Sequence, residues 1–222
     1  MKPFIIGVAG GSGSGKSTVT EQIIRSVGKD DVSVVLLDNY YLDRSHLTME
    51  ERNLVNFDHP NALDWKLMKS QLNDLYHGLP IQIPKYDFTT HTRMAKTNLI
   101  LPAKVIIVEG IFALYDEAMC NQMALRIFVD TAADIRLMRR LKRDICERAR
   151  TLDSVLKQYS QYVRPMYRNF VEPTKRRAHI IIPHGSNKAA LEMIVSRIQS
   201  VLSGQKLVVS HETPYEDDSG EA

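Results

Sequence analysis

This sequence predicts an α/β domain: a mostly parallel, five-stranded sheet with helices on both faces. Two observations carry the prediction. Short, continuously apolar runs rich in β-branched residues alternate with segments of helical periodicity along most of the chain. Runs of that kind suit strands buried on both faces, as in parallel sheets. The octapeptide Gly10-Gly-Ser-Gly-Ser-Gly-Lys-Ser17 lies between the first such run and the first helical segment. That strand–loop–helix setting is the one in which a glycine-rich turn wraps phosphate.

Phe4–Ala9 is the first strand and Lys16–Val27 the first helix. Val32–Leu37 is the second strand. A helix over Asp64–Tyr76 ends before Gly78, a residue suited to the position just past a helix. Leu79–Pro102 breaks the rhythm with three prolines and two extended stretches, Ile81–Tyr86 and Arg93–Leu101. A hairpin-like insert over residues 79–102, above the ligand edge of the sheet, is expected there. Val105–Val108 and Leu125–Val129 are further strands. Asp134 is expected to cap a helix over Asp134–Arg148, and a second helix follows over Leu152–Val163. His179–Ile182 is the last strand, and Asn187 caps a helix over Lys188–Leu202. Residues 1–202 thus read as one domain, with a lid and its following helix at 136–164. Residues 203–222 read as a mobile acidic tail.

A chain of 222 residues with 44% hydrophobic content suits one domain with an ample core. Cys120 and Cys146 have no metal or redox spacing, which suits a reducing, cytoplasmic setting. No apolar run approaches the ~18 residues of a membrane span. The short Met1-Lys-Pro3 start is read as leaving no room for a signal peptide. The tail 203–222 holds five acids and one Lys, leaving 28 basic against 21 acidic residues in the rest. A basic body suits a polyanionic ligand. No basic stripe interleaved with aromatics appears, so nucleic acid is not an expected partner.

The octapeptide has the P-loop spacing G-x-x-x-x-G-K-[ST], and with it the fold is expected to be that of the P-loop NTPases. Backbone N–H groups of Gly10, Gly11, Ser12, Gly13, Ser14 and Gly15 would curl around phosphate oxygens. Lys16 adds a point charge, Ser17 offers a hydroxyl to Mg²⁺, and Thr18 opens the helix. The expected ligand is a nucleoside triphosphate. Val105-Ile-Ile-Val-Glu109 is an apolar strand ending in an acid, which in such proteins sets a carboxylate beside the metal. Asp38 stands at the end of the second strand, where it can accept a proton from an attacking hydroxyl or join the metal. Arg136, Arg139, Arg140 and Arg143 fall on one helix face, with Leu137, Leu141 and Ile145 free to face the core. Guanidiniums so gathered repel one another unless an anion arrives, so a phosphate-gripping lid is expected. GTPase function fits poorly, because Asn187-Lys-Ala-Ala190 lacks the Asp of a guanine reader.

Several separated blocks give the chain a family resemblance: the P-loop, Asp38-Asn-Tyr-Tyr41, Asn56-Phe-Asp-His-Pro60, Tyr86-Asp-Phe-Thr-Thr-His91, Glu109-Gly-Ile111, Phe128-Val-Asp130, Arg139–Arg150, Gln158-Tyr159 and Pro173-Thr-Lys175. Over residues 4–202 it resembles the bacterial uridine kinases (uridine–cytidine kinases). The resemblance implies transfer of a γ-phosphoryl group from ATP or GTP, with Mg²⁺, to the 5′-hydroxyl of uridine or cytidine. It implies that Asp38 is the base, and that Asp58 and Gln158 hold the ribose with Arg140 beside them. Tyr86 and His91 would read the pyrimidine, with Tyr41 and Arg150 near it, while Arg143 and Arg148 reach the donor phosphates. His184, in a loop expected near the donor purine, stands where the family generally has Arg, and Leu42 where it has Lys or Arg. A homotetramer is implied by the resemblance alone. Two rival readings stay open: a related kinase with another acceptor, such as a phosphoribulokinase, and a non-catalytic nucleotide-binding module.

Overall fold

The computed structural model describes residues 2–183 and 187–204. In chain order the elements are β1 (Phe4–Gly10), α1 (Lys16–Val27), β2 (Val32–Leu36), α2 (Met49–Asn53), α3 (Trp65–Tyr76), β3 (Ile81–Asp87), β4 (Thr92–Ile100), β5 (Val105–Glu109), α4 (Glu117–Gln122), β6 (Leu125–Asp130), α5 (Ala133–Arg148), α6 (Leu152–Gln158), α7 (Arg164–Met166), β7 (Ile180–Pro183) and α8 (Lys188–Leu202). Five strands form one sheet in the order β2-β5-β1-β6-β7, every neighbouring pair parallel. β1 sits at the centre, with Ile6 level with Ile107 on one side and Leu125 on the other.

Alternation along the strands feeds two cores. Ile6, Val8, Ile107 and Ile127 pack under α1 and α8, against Val19, Ile23, Leu191, Ile194 and Ile198. Ile5, Ala9, Ile106, Val108 and Phe128 face the other way, with Met68, Leu72 and Leu75 of α3. This two-sided burial is why the strands carry almost no polar residues. β3 and β4 form a separate antiparallel hairpin, with a register shift between Pro84 and Lys85. A bulge is one of the few places where a strand tolerates Pro. The hairpin's Ile81, Ile83 and Tyr86 join the second core.

The sheet strands and long helices lie where the periodicity puts them, to within a residue or two. Asn187 caps α8, accepting from the Ala190 N–H at 3.2 Å. Asp134 does not cap α5; Ala132 holds the cap position and Asp134 lies in the first turn. The helix expected to reach Val163 ends as α-helix at Gln158 and widens into π-helical turns at Tyr159–Val163 and Tyr167–Val171, with α7 between them. Pro165 in α7 has no N–H to donate, so regular pairing is interrupted there. α2 and α4 are too short to show periodicity, although Thr48 and Glu51 form a capping box for α2. No helix among the described residues is long and apolar enough to cross a membrane. The tail lies outside the described residues from 205 onward.

Ile107 is fully buried at the middle of β5. Ile107→Ala should lower unfolding free energy by about 2–5 kcal/mol. A urea midpoint equal to the parent's would contradict the two-sided core.

Candidate active site

The carboxyl ends of β1, β2 and β5 surround a cavity of about 520 Å³ lined by Ser12, Gly13, Gly15, Lys16, Ser17, Thr18, Asp38 and Glu109, with Arg139 and Arg143 at its rim. The glycine loop is held from behind. Ser14 is buried, its N–H donates to Gly11 O (3.1 Å), and its carbonyl accepts from Thr131 Oγ1 (2.9 Å). Gly10, Gly11 and Ser14 therefore shape the loop without lining the cavity. Gly13 has φ +78°, and a Cβ there would stand 2.5 Å from the Arg136 carbonyl oxygen, so only glycine fits. Gly15, left-handed at φ 101°, takes the cap position of α1 without a side-chain cap, which leaves first-turn N–H groups for an anion.

Lys16 Nζ donates to Gly11 O at 3.1 Å. Burial holds its ammonium below the usual lysine pKa, against the opposing pull of the Glu109 and Asp38 carboxylates. Ser17 Oγ donates to Glu109 Oε1 at 2.8 Å. Asp38 lies in the 3₁₀ turn Leu37–Tyr40 directly after β2. Among the described residues no group of three or more His, Cys, Asp or Glu side chains is placed to hold a metal. Ser17, Glu109 and Asp38 supply one hydroxyl and two carboxylates, a set that suits Mg²⁺ when phosphate oxygens and water complete its shell.

A second, narrow cavity of about 70 Å³ adjoins the first. Tyr41, Asp58, Tyr86, His91, Arg140, Arg148, Arg150 and Gln158 line it, and Ser12, Asp38, Ile111 and Arg143 line both. Its walls are aromatic. Tyr41 packs on Tyr86 and Phe57 at 5.1 and 5.5 Å between ring centres, and His91 stacks on Phe57 at 4.8 Å and 14°. His91 comes from the hairpin tip, where its φ is +56°. Arg52 of α2 holds that tip through the Thr90 carbonyl. Arg93 of β4 donates to Tyr41 O (2.7 Å) and Tyr40 O (3.2 Å), tying the hairpin to the turn that carries Asp38. The Tyr86 hydroxyl is buried with no protein partner. Burial raises the Asp58 pKa against the pull of Arg140. Burial lowers that of His91, helped by the charges of Arg150, Arg52 and Arg148.

The arginines of α5 divide. Arg139 approaches the carbonyls of Gly13 (3.4 Å) and Ser14 (3.3 Å). Arg140 donates to Ser12 Oγ (3.0 Å) and to Gln158 Oε1 (2.8 Å), which Arg150 also reaches. Arg148 lies over the Phe88 ring at 4.2 Å. Arg136 lines neither cavity. It lies 3.8 Å over the Tyr167 ring and donates to Thr131 O at 3.0 Å. The expected apolar stripe is also displaced. Leu137 and Leu141 are half-buried, Ile145 is 41% exposed, and the buried residues of α5 are Arg136, Arg140 and Asp144. This helix packs against loop carbonyls and two polar cavities, so its inner face carries donors instead of leucines. His184 lies outside the described residues.

Phe57, Phe88 and Ile111 line the cavities without having been singled out from the sequence, whereas Asp144 is legible there as a group able to neutralise part of the arginine run. Phe57 precedes Asp58, and Phe88 follows Tyr86 at the strand period of two, so both were within reach of the residues already singled out.

The Phosphoribulokinase / Uridine kinase family matches residues 5–190 of this chain. The uridine kinase of Deinococcus deserti is 53% identical over 203 residues, spanning 91% of this chain and 98% of its own length. That of Staphylococcus carnosus is 50% identical over the same shares. Among solved structures, phosphoribulokinase from Rhodobacter spheroides superposes with a TM-score of 0.60 at 14% identity, covering 82% of this chain and 70% of its own. D-glycerate 3-kinase from Cryptococcus neoformans gives 0.57 at 17%, covering 76% and 79%. At such identities the structural likeness concerns the fold, which is that of the P-loop kinases. Sequence identity near one half along nine-tenths of the chain goes further, and with the match over residues 5–190 it makes this protein a member of the phosphoribulokinase/uridine kinase family of phosphotransferases.

Proposed function

We propose that this protein transfers the γ-phosphoryl group of ATP or GTP to the 5′-hydroxyl of uridine or cytidine, giving UMP or CMP for pyrimidine salvage. The observation that carries the reading is the shared wall of the two cavities at Ser12, Asp38, Ile111 and Arg143. Transfer between two bound molecules requires their reacting atoms to meet, and a shared wall bearing a carboxylate and a guanidinium supplies that meeting point. That the relatives are uridine kinases supports the acceptor.

In this reading the triphosphate rests on residues 10–18. Ser17, Glu109 and Asp38 would hold Mg²⁺, which when bound would supply charge neutralisation at the phosphate oxygens. Asp38 orients the 5′-hydroxyl and takes its proton. Lys16 and Arg143 offset charge on the transferred group, and Arg148 closes over it from the lid. Asp58, Gln158 and Arg140 meet the ribose hydroxyls. Tyr86 and His91 meet the pyrimidine edge, and a neutral His91 can present either a donor or an acceptor, which serves both uracil and cytosine. His184 belongs to the donor-purine side. On the family resemblance alone we extend the reading to a cytoplasmic homotetramer.

A coupled assay with uridine, cytidine and ribulose 5-phosphate, run with ATP and then GTP, tests the assignment. Turnover of both nucleosides and none of the sugar phosphate is expected. Turnover of the sugar phosphate alone would move the assignment to a phosphoribulokinase. Asp38→Asn should lower kcat by roughly 10²–10⁴-fold with uridine affinity nearly unchanged. Normal turnover in that variant would remove Asp38 from the base role. Tyr86→Phe should raise the nucleoside KM roughly tenfold while leaving Tm unchanged or higher, because the lost hydroxyl has no protein partner to abandon. A lower Tm with an unaltered KM would reverse that reading.

His91 also gives a pH signature. Its folded pKa lies below that of an unfolded histidine, about 6.5. Between the two values the unfolded chain binds more protons, so stability falls as the pH is lowered through that window. His91→Phe removes this component. The Tm of the variant should therefore gain on the parent between pH 7.5 and pH 5.5, and a constant difference would argue against a lowered His91 pKa.

A further inference from the structure

We propose that Asp144 is a positioning residue that couples the two substrate cavities by holding Arg143, which lines both, together with three arginines of the acceptor cavity. The inference rests on the functional reading above and adds to it a residue that lines neither cavity. The Asp144 side chain is fully buried. Oδ1 lies 2.8 Å from Arg143 Nη2 and 3.4 Å from Arg148 Nη1, and Oδ2 lies 3.3 Å from Arg140 Nε and 3.8 Å from Arg150 Nη1. Arg143 Nε adds a hydrogen bond to Oδ1 at 2.9 Å. One carboxylate therefore gathers four guanidiniums.

The backbone reinforces this. Ala149 turns left-handed at φ 52°, and the Asp144 carbonyl accepts from the N–H groups of both Ala149 and Arg150. The chain folds back past the end of α5 and returns Arg150 to the carboxylate it would otherwise leave behind.

All four arginines line the acceptor cavity, and Arg143 alone among them also lines the triphosphate cavity. Arg148 lies over Phe88, while Arg140 and Arg150 converge on Gln158 in the acceptor cavity. Four positive charges face the carboxylates of Asp144, Asp38 and Asp58, so positive charge stays in excess. Burial, first, holds Arg148 and Arg150 below their usual pKa; for Arg148 the charge of Arg143 is the next cause, and Arg140 adds to the lowering of both. A triphosphate that draws Arg143 and Arg148 toward its oxygens relieves the crowding at Asp144. The carboxylate is then freer to fix Arg140 and Arg150, which orders the acceptor cavity. By reciprocity the nucleoside must strengthen triphosphate binding by the same factor.

The test measures uridine binding by calorimetry with and without a saturating, non-hydrolysable ATP analogue and Mg²⁺, together with steady-state kinetics. The parent and the Asp144→Asn and Asp144→Glu variants are compared at a temperature where circular dichroism shows each folded. In the parent the analogue should tighten uridine binding roughly fivefold or more. Asp144→Asn should reduce that factor to about one, raise KM for both substrates roughly tenfold, and lower kcat roughly 100-fold through misplaced arginines. Asp144→Glu, which keeps the charge, should retain coupling within about threefold of the parent. A purely structural residue would lower Tm in the Asn variant and leave the coupling factor as it was, and that result overturns the proposal. Equal loss of coupling in the Glu and Asn variants overturns it too. Should Asp144→Asn not fold at the assay temperature, the Glu variant decides alone: retained coupling with KM for both substrates shifted together supports the proposal, and abolished coupling, or a lower Tm with unaltered KM values, overturns it. If the parent turns over neither uridine nor cytidine, the functional reading itself fails and takes this inference with it. A parent that turns over uridine but shows no coupling sinks only the inference.

Discussion

Every strand of the sheet runs in the same direction, and this constraint orders the rest of the molecule. Parallel neighbours place all carboxyl ends on one edge. β1 therefore delivers the glycine loop, β2 delivers Asp38 and β5 delivers Glu109 to the same side. The register sets the level as well. Glu109 is level with Val8 of β1 and Leu36 of β2, and its carboxylate accepts from Ser17 Oγ in the first turn of α1. Both faces of the sheet must be covered for this arrangement to hold. α1 and α8 cover one, while α3 and the hairpin contribute to the other. The hairpin thus has two duties: it closes a core and carries Tyr86 and His91.

A second constraint is electrostatic. α5 turns a charged stripe inward, where Arg136, Arg140 and Asp144 follow one another at helical spacing. Buried guanidiniums are costly unless each finds acceptors. Arg136 finds an acceptor in the Thr131 carbonyl and lies against the face of Tyr167, while Arg140 finds acceptors in Ser12 and Gln158 and pairs ionically with Asp144. The glycine loop in turn is supported by the helix that these contacts anchor. Loop and lid are therefore one assembly, joined by hydrogen bonds between residues more than a hundred positions apart, such as Arg140 to Ser12.

Much of this was legible in the linear chain, and the reason differs by level. The strands were visible because burial on both faces demands unbroken apolar runs, as in Val105–Val108. α8 was visible because Asn187 advertises its start. The glycine loop was visible because left-handed backbone at Gly13 and Gly15 excludes other residues. The residues of the second cavity were not legible one at a time. Asp58, Tyr86, His91 and Gln158 come from separate elements, and only the joint pattern of blocks singled them out. Where reasoning from periodicity went astray, on Leu137, Leu141 and Ile145, it assumed that the inner face of a helix is apolar.

By itself the chain determined its local conformations and the identity of its phosphate loop. Those depend on backbone sterics and on hydrophobic spacing, which neighbouring residues carry among themselves. Only the tertiary structure decided that Asp38 stands in the wall between two cavities, that Arg136 belongs to the scaffold, and that Asp144 gathers four arginines. Such facts depend on distances between segments far apart in sequence, and those distances are set by how helices and hairpin pack on a shared sheet.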